Sequence, residues 1–510
     1  MDSKTLWAIV LSMLVLLTFQ FFFAKTAPPP PQAPPPAQKE APEEKTTAPV
    51  PVPPAIAVQG VPQVKTIKVE TDKYMAEFTT VGAVPQSWLL KGYKDQKDKT
   101  KNVSLLKPGT PLPLAIAWGG EFKSTEMNFS VSGGDITLNK NNPQGTLTFE
   151  YSDGTHFVRR TYAFYNDSYR FELRDEVSGI PEYMITLGPE FGIYERDGAG
   201  FHTGPVLLAG TKREEIKAKK LDTVKVYTED IKWIAQEDKY FFAAIVPRQK
   251  MDEARAWAEK GNAIVSLRVA SPAAQEFVVY AGPKDIDRLK PLGLGLEHIV
   301  DFGFFSIIAR PILWLLKQIQ GVVINWGWAI VILTIVTRIP FIPLINKGQK
   351  SMKKLQALQP RMQEIRQKYK KDPQRLQRET MELYKKYKVN PMGGCLPILI
   401  QIPVFFALYK VLGIAIELRG APFAFWITDL SIKDPYYVLP IVMGVTMLLQ
   451  QKMTPAAGDP RQQKMMMFMP IIFTFLFLNF ASGLVLYWLV NNLLSIAQQV
   501  WVNKKAKVED

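Results

Sequence analysis

The chain has 510 residues, 47% of them hydrophobic, and a formal net charge of +15. That length allows several domains, and the balance suits a membrane protein with polar parts better than a purely soluble enzyme. The single cysteine, Cys395, excludes an intrachain disulfide, so any exported portion is stable without one.

Leu6 to Phe23 is an almost unbroken apolar run, about the length that crosses a bilayer core of roughly 30 Å. It is longer than a typical signal-peptide core, and its amino end carries only Lys4 against Asp2, so residues 1–25 read as an uncleaved transmembrane anchor. Residues 26–62 ("APPPPQAPPPAQKEAPEEK") are proline-rich, with an extended and solvated backbone, and form a linker.

From residue 63 to 290 the pattern changes to short alternating stretches such as "TLTFEYSDGTHFVRRTYAFYNDSYRFEL" and "QEFVVYAGP", separated by Gly, Asn, Asp and Pro. Period-two alternation rich in aromatic and β-branched residues predicts an antiparallel β-sandwich, large enough to fold alone. Its histidines, His156 and His202, have no neighbouring ligand cluster and its carboxylates are scattered, so a scaffold or partner-docking role fits better than a sugar-binding or catalytic cleft.

Residues 298–320 mix Asp301, Arg310 and Lys317 with bulky apolar side chains, the composition of an amphipathic helix lying in the membrane interface. Residues 321–502 then read as a five-helix core. Trp326 and Trp328 open its first span, running to about Ile345, and further spans begin near Met392, Tyr436, Met465 and Ser482. With the amino-terminal anchor this makes six transmembrane helices.

Between Lys347 and Lys388 stand fourteen Lys and Arg against four acids, a net of +10. Met352, Leu355, Leu358, Met362, Ile365 and Tyr369 recur at helical spacing, as do Leu376, Thr380, Leu383 and Tyr387, with Asp372-Pro373 between the two series. Residues 347–390 are therefore expected to form a helical hairpin. Basic loops stay cytoplasmic, which puts both termini and the short tail 503–510 in the cytoplasm and exports the β-sandwich. Lys353, Lys354, Arg361 and Arg366 on the hairpin are candidates for docking on anionic lipids or ribosomal RNA; a solvated face that merely obeys the topology rule explains the same charge.

One residue does not suit its surroundings. Arg338 lies about 18 Å along the first core span from Trp326 and about 13 Å from Lys347, too deep to reach water easily. An arginine there disfavours insertion by roughly 3 kcal/mol. None of the five carboxyl-terminal spans has an acid in its interior, so water in a polar cavity is the expected stabiliser. Thr334 shares the helical face of Arg338, Tyr487, Asn491, Ser495 and Gln498 form a stripe on the last span, and Gln401 adds a third helix. Isolated polar residues of this kind also serve as interhelical glue. There is no phosphate-binding loop, metal-ligand cluster or dinucleotide fingerprint, so no cofactor, metal or enzymatic activity is expected.

The stretches "TRIPFIPL", "YKVNPMGGCLPILIQIPVFFALYKVL", "FAFWITDLSIKDPYYVLPIVMGVTMLLQQKM" and "QQKMMMFMPIIFTFLFLNFASGLVLYWLVNNLLSIAQQ" closely resemble the YidC membrane-protein insertase family (YidC/Oxa/Alb), from about Leu313 to Gln499. The amino-terminal anchor and exported β domain look like its Gram-negative form. The resemblance implies a β-supersandwich, localisation in the bacterial inner membrane, and insertion of nascent membrane proteins alone or with the Sec translocon. It also implies that Arg338 is the groove arginine and Tyr487 the substrate-contacting tyrosine. Trp488 departs from the second tyrosine that many relatives carry there, and the short tail leaves any ribosome contact to the hairpin. In the mechanism expected, a client's polar segment enters the wet groove, drawn by Arg338, while its apolar span partitions along the outer face of the last helix near Tyr487. The alternative is a small-solute transporter or channel with Arg338 as an anion site.

Overall fold

A computed structural model describes residues 64–111, 113–195, 201–270, 274–387, 389, 396–453 and 460–508. The expected anchor, the proline-rich linker and Cys395 lie outside the described residues.

Alternation becomes a sandwich because each strand can bury only every second side chain. In Phe157–Tyr165 the inward set is Val158, Arg160, Tyr162 and Phe164. Among the described residues nineteen strands between Thr66 and Pro283 form three sheets. The nine-stranded sheet has Gln275–Pro283 at its centre, and the two five-stranded sheets are centred on Tyr74–Thr79 and Asn262–Val269. Neighbouring strands are antiparallel except Thr66–Glu70, which runs parallel to Ile136–Thr137.

The first five-stranded sheet faces the nine-stranded one across an aromatic core. Phe78 lies 4.9 Å from Tyr162 and Trp88 5.1 Å from Phe171, and the Tyr162 hydroxyl donates to Ala83 O across the layers. The second five-stranded sheet is joined through Gln236, whose Nε2 donates to Gly188 O and Ala263 O. Arg160 occupies an inward position because Asp175 stands opposite it in register. Arg160 Nε and Nη2 reach the two Asp175 oxygens at 2.8 and 3.2 Å, Nη1 donates to Leu114 O, and both side chains are fully buried.

After Pro283 the chain turns helical. The labelled helices are α1 (Ser306–Val323), α2 (Trp326–Arg338), α3 (Ile342–Ala357), α4 (Gln359–Lys368), α5 (Pro373–Lys386), α6 (Leu396–Ile414), α7 (Val438–Met453), α8 (Pro460–Phe477) and α9 (Ser482–Val508). Helix α1 starts eight residues after the expected 298, because the positive-φ glycines Gly295 and Gly303 divert the chain through two 3-10 turns first. It buries Ala309, Ile312, Leu313 and Leu316 and exposes Ile307, Trp314 and Val322.

Trp326–Ala357, comprising α2, one turn of 3-10 helix and α3, is the only helical run among the described residues long and apolar enough to cross a membrane. Gln401–Ile414, Val438–Met453 and Met467–Phe477 are shorter apolar helices. Helices α3, α4 and α5 make the hairpin. Asp372 caps α5 by accepting from Arg375 N, with Pro373 in the first turn, while a second break at Leu358, followed by Pro360, was not evident from the periodicity. The seam is Leu355, Leu358 and Val389 packed with Met352, Leu383 and Tyr384. Tyr384 thus takes the place expected for Tyr387, which instead lies under the Arg361 guanidinium at 5.0 Å.

The β domain rests on one end of the bundle. Phe201 stacks on Tyr409 of α6 at 6.0 Å and fills the space beside Gly413, and Gln96 Nε2 donates to Ser431 Oγ. Lys317 of α1 lies 2.8 Å from Asp287 and 2.5 Å from Glu417, tying three segments together.

Candidate functional site

Asn325 begins α2 by accepting from Gly327 N and Trp328 N, while its amide donates to Pro422 O and Phe423 O. The helix ends thirteen residues later because Pro340 and Pro343 supply no backbone donors, which tightens Ile339–Phe341 into a 3-10 turn. Arg338 is therefore presented at a bend, facing α9.

There it finds acceptors rather than a counter-charge. Arg338 Nη1 donates to Asn491 Oδ1 at 2.7 Å and to Asn491 O at 3.1 Å, and Nη2 to Gln498 Oε1 at 3.1 Å. Gln498 Nε2 donates onward to Asn346 Oδ1 of α3 at 2.7 Å, and Ser495 Oγ donates to Asn491 O. Three hydrogen bonds to neutral oxygens of Asn491 and Gln498, both on the expected polar stripe, hold the half-buried guanidinium. No carboxylate pairs with it among the described residues.

The remaining expected groove residues are placed differently. Thr334 is buried and donates to Ile330 O of its own helix at 2.7 Å, so it adds no free polar group beside Arg338. Tyr487 is 1% exposed and its hydroxyl accepts from Gln401 Nε2 at 2.9 Å. It lies between α6 and α9, not on the outer face of the last helix. Trp488 packs on Phe405 at 4.8 Å and Phe477 at 5.2 Å, knitting α6 and α8 to α9.

Helix α9 carries a second polar seam. Asn492 reaches Thr446 Oγ1 and Gln499 donates to Met453 O, both on α7, which is interhelical glue. Sequence reasoning missed Asn346, although it stands eight residues, about two helical turns, beyond Arg338.

The hairpin cations engage different partners. Lys353 Nζ donates to Val502 O at 3.4 Å, Lys354 is exposed, Arg361 lies over Tyr387, and Arg366 is half-buried near Tyr384. The carboxylates of Asp285, Asp287 and Glu417 are close enough together to hold a cation, but the Lys317 ammonium already lies between Asp287 and Glu417 and Arg288 pairs with Asp285 at 2.9 Å. Two cations thus stand among these three carboxylates.

These features define a class: a helical membrane protein that carries a large β domain and holds between its helices a cation with no carboxylate partner among the described residues. Comparison with known proteins identifies the group within it. Residues 66–315 match the family described as YidC periplasmic domain and residues 318–509 the family described as 60Kd inner membrane protein. The chain is 42% identical to the membrane protein insertase YidC of Syntrophus aciditrophicus, over 99% of this chain and 100% of that protein. It is 40% identical to the YidC insertase of Geotalea daltonii, over 99% of each. A solved active YidC insertase with its first transmembrane domain resolved aligns with 86% of this chain and 92% of its own, at 20% identity and a TM-score of 0.39. The chain belongs to the YidC membrane protein insertase family, inner-membrane proteins with a periplasmic domain.

Proposed function

We propose that this chain inserts newly made proteins into the inner membrane, using the space around Arg338 as a polar way station. The observation that carries this reading is the pairing of Arg338 with Asn491 and Gln498: neutral acceptors hold the guanidinium in place and leave its charge available. Interactions between charges strengthen as the local dielectric falls, so a client's acidic or polar outer segment is attracted to this point while its apolar span stays in lipid. Six spans are the reading for the whole chain: the amino-terminal run, α2 with the start of α3, and α6 to α9. The basic hairpin assigns its side, and with it both termini, to the cytoplasm.

In this scheme the Gln401–Tyr487 bond sets the spacing of α6 and α9 and so the width of the client's entry, and Ser495 fixes the Asn491 carbonyl. Lys353 helps dock the hairpin on the end of α9, while Lys354, Arg361 and Arg366 are the contacts offered to anionic lipid headgroups or a ribosome. The Sec translocon is proposed as a partner for clients with large exported segments.

The test is insertion of a small single-span client into liposomes holding only this purified chain, comparing the wild type, Arg338→Ala and a deletion of residues 60–285. Insertion by the wild type and the deletion, with loss in Arg338→Ala for a client with an acidic outer segment, is expected. No insertion by folded, correctly oriented wild type would refute autonomous activity.

A further inference from the structure

Arg419, in the loop after α6, is a cation held against aromatic rings. Its guanidinium carbon lies 5.3 Å from the Tyr194 ring centre and 5.2 Å from that of Phe241. Aromatic faces stabilise the flat side of a guanidinium, but its N–H groups point outward in its own plane and still require oxygen. Nε and Nη2 are buried with no hydrogen-bond partner. Glu417, two residues away, is taken by Lys317 at 2.5 Å.

Arg419 also lines a cleft of about 460 Å³, together with Ile324, Asn325, Trp326, Glu417 and Gly420. The cleft opens where α2 begins, and Ile324 on its wall is 81% exposed. A cation on the wall of a cleft, beside Ile324 and Trp326, has the chemistry of a headgroup site at a membrane surface. We propose that this cleft binds the phosphate of a membrane phospholipid in the periplasmic leaflet, with Arg419 as its ligand and the apolar rim against the glycerol and upper acyl chains. The assignment rests on the reading that α2 enters the membrane at its tryptophan end. It lies on the face opposite the basic hairpin, so the two sites do not compete.

The experiment is a binding titration on the full-length protein in detergent, which needs no insertion activity. The probes are short-chain dihexanoylphosphatidylglycerol, dihexanoylglycerol without a phosphate, inorganic phosphate, and an acidic peptide. Saturable binding of the phospholipid is expected, weakened roughly tenfold or more by Arg419→Gln and less by Arg419→Lys, as befits loss of a charge-assisted hydrogen bond. Equal affinity in wild type and Arg419→Gln, or equal affinity for dihexanoylglycerol, would overturn the proposal. Inorganic phosphate binding as tightly as the phospholipid, or displacement of the phospholipid by the peptide, would overturn the lipid as occupant. Should Arg419→Gln fail to fold, Arg419→Lys and the wild-type comparison of the two lipids still decide.

Discussion

Removing the cation should cost less than removing its acceptor. In Arg338→Met the charge is gone, and Asn491 Oδ1 and Gln498 Oε1 are left in a half-buried groove where water can reach them, so the expected cost is under about 1 kcal/mol. In Asn491→Leu the guanidinium stays and loses its shortest bond, at 2.7 Å. Hydrogen bonds to charged groups contribute about 1.5–3 kcal/mol, and a cation left short of acceptors retains its desolvation cost, so this variant should be the less stable by about 2 kcal/mol. The double variant Arg338→Met/Asn491→Leu should be no worse than Arg338→Met alone, because without the cation the asparagine has no charge to satisfy. Unfolding midpoints of the full chain in detergent, followed by tryptophan fluorescence, measure all four forms. Strictly additive effects in the double variant, or an Arg338→Met as unstable as Asn491→Leu, would refute the claim that neutral acceptors hold the charge.

Three further outcomes follow from the packing. Asp175→Asn leaves Arg160 buried without its counter-charge and should lower β-domain stability by about 3–5 kcal/mol, seen as an early denaturant transition. Burial disfavours the charged form of Lys317, but Glu417 and Asp287 more than offset it and raise the ammonium's pKa above its usual 10.5. The bond between α1, the β domain and the end of α6 is thus fully present at neutral pH and lost only as pH rises beyond 10.5, so Lys317→Met should lower the thermal midpoint at pH 7 and reduce its fall between pH 10 and 11.5. Gly413→Ala places a methyl group against Phe201 and should destabilise by about 1–3 kcal/mol despite the better helix former, while Phe201→Leu in the same chain should restore much of the loss, measured by the same midpoints.

How much of this was legible in the sequence depended on whether the signal was periodic or three-dimensional. The sandwich was legible because alternation is a local consequence of burial on one strand face, and the break at Asp372-Pro373 because proline and aspartate act on their own turn. That Arg338 needs polar partners was legible from cost alone. Its partners were only half legible: Asn491 and Gln498 stood out as a stripe, but nothing local tells a stripe that meets a cation from one that meets another helix, and Asn492 and Gln499, one residue along, meet α7. Thr334 misled because a threonine in a helix can return its hydroxyl to the carbonyl four residues back. Tyr487 was expected on family resemblance to contact substrate; only packing shows that Gln401 and its neighbours enclose it. The contact of Phe201 with Gly413 joins positions more than two hundred residues apart, beyond any pattern in a window.

The same geometry makes a sharper demand on function. Asn491 is nearly the shape of aspartate, and its Oδ1 already lies 2.7 Å from Arg338 Nη1. Asn491→Asp would therefore convert a neutral acceptor into a counter-ion without moving the helix. At an effective dielectric of about 20 and a charge separation of about 4 Å the attraction is about 4 kcal/mol, reduced by desolvation of the new carboxylate, so the variant should be at least as stable as the wild type. If the site worked by shape or hydration alone, insertion would be unchanged. If it works by its uncompensated charge, insertion of clients with acidic outer segments should fall several-fold while clients with neutral segments are spared. A proteoliposome assay with one client, its outer segment carrying either Asp or Asn, separates the two. Equal insertion of both forms by a stable Asn491→Asp chain would show that the charge of Arg338 is structural and that the groove acts by other means.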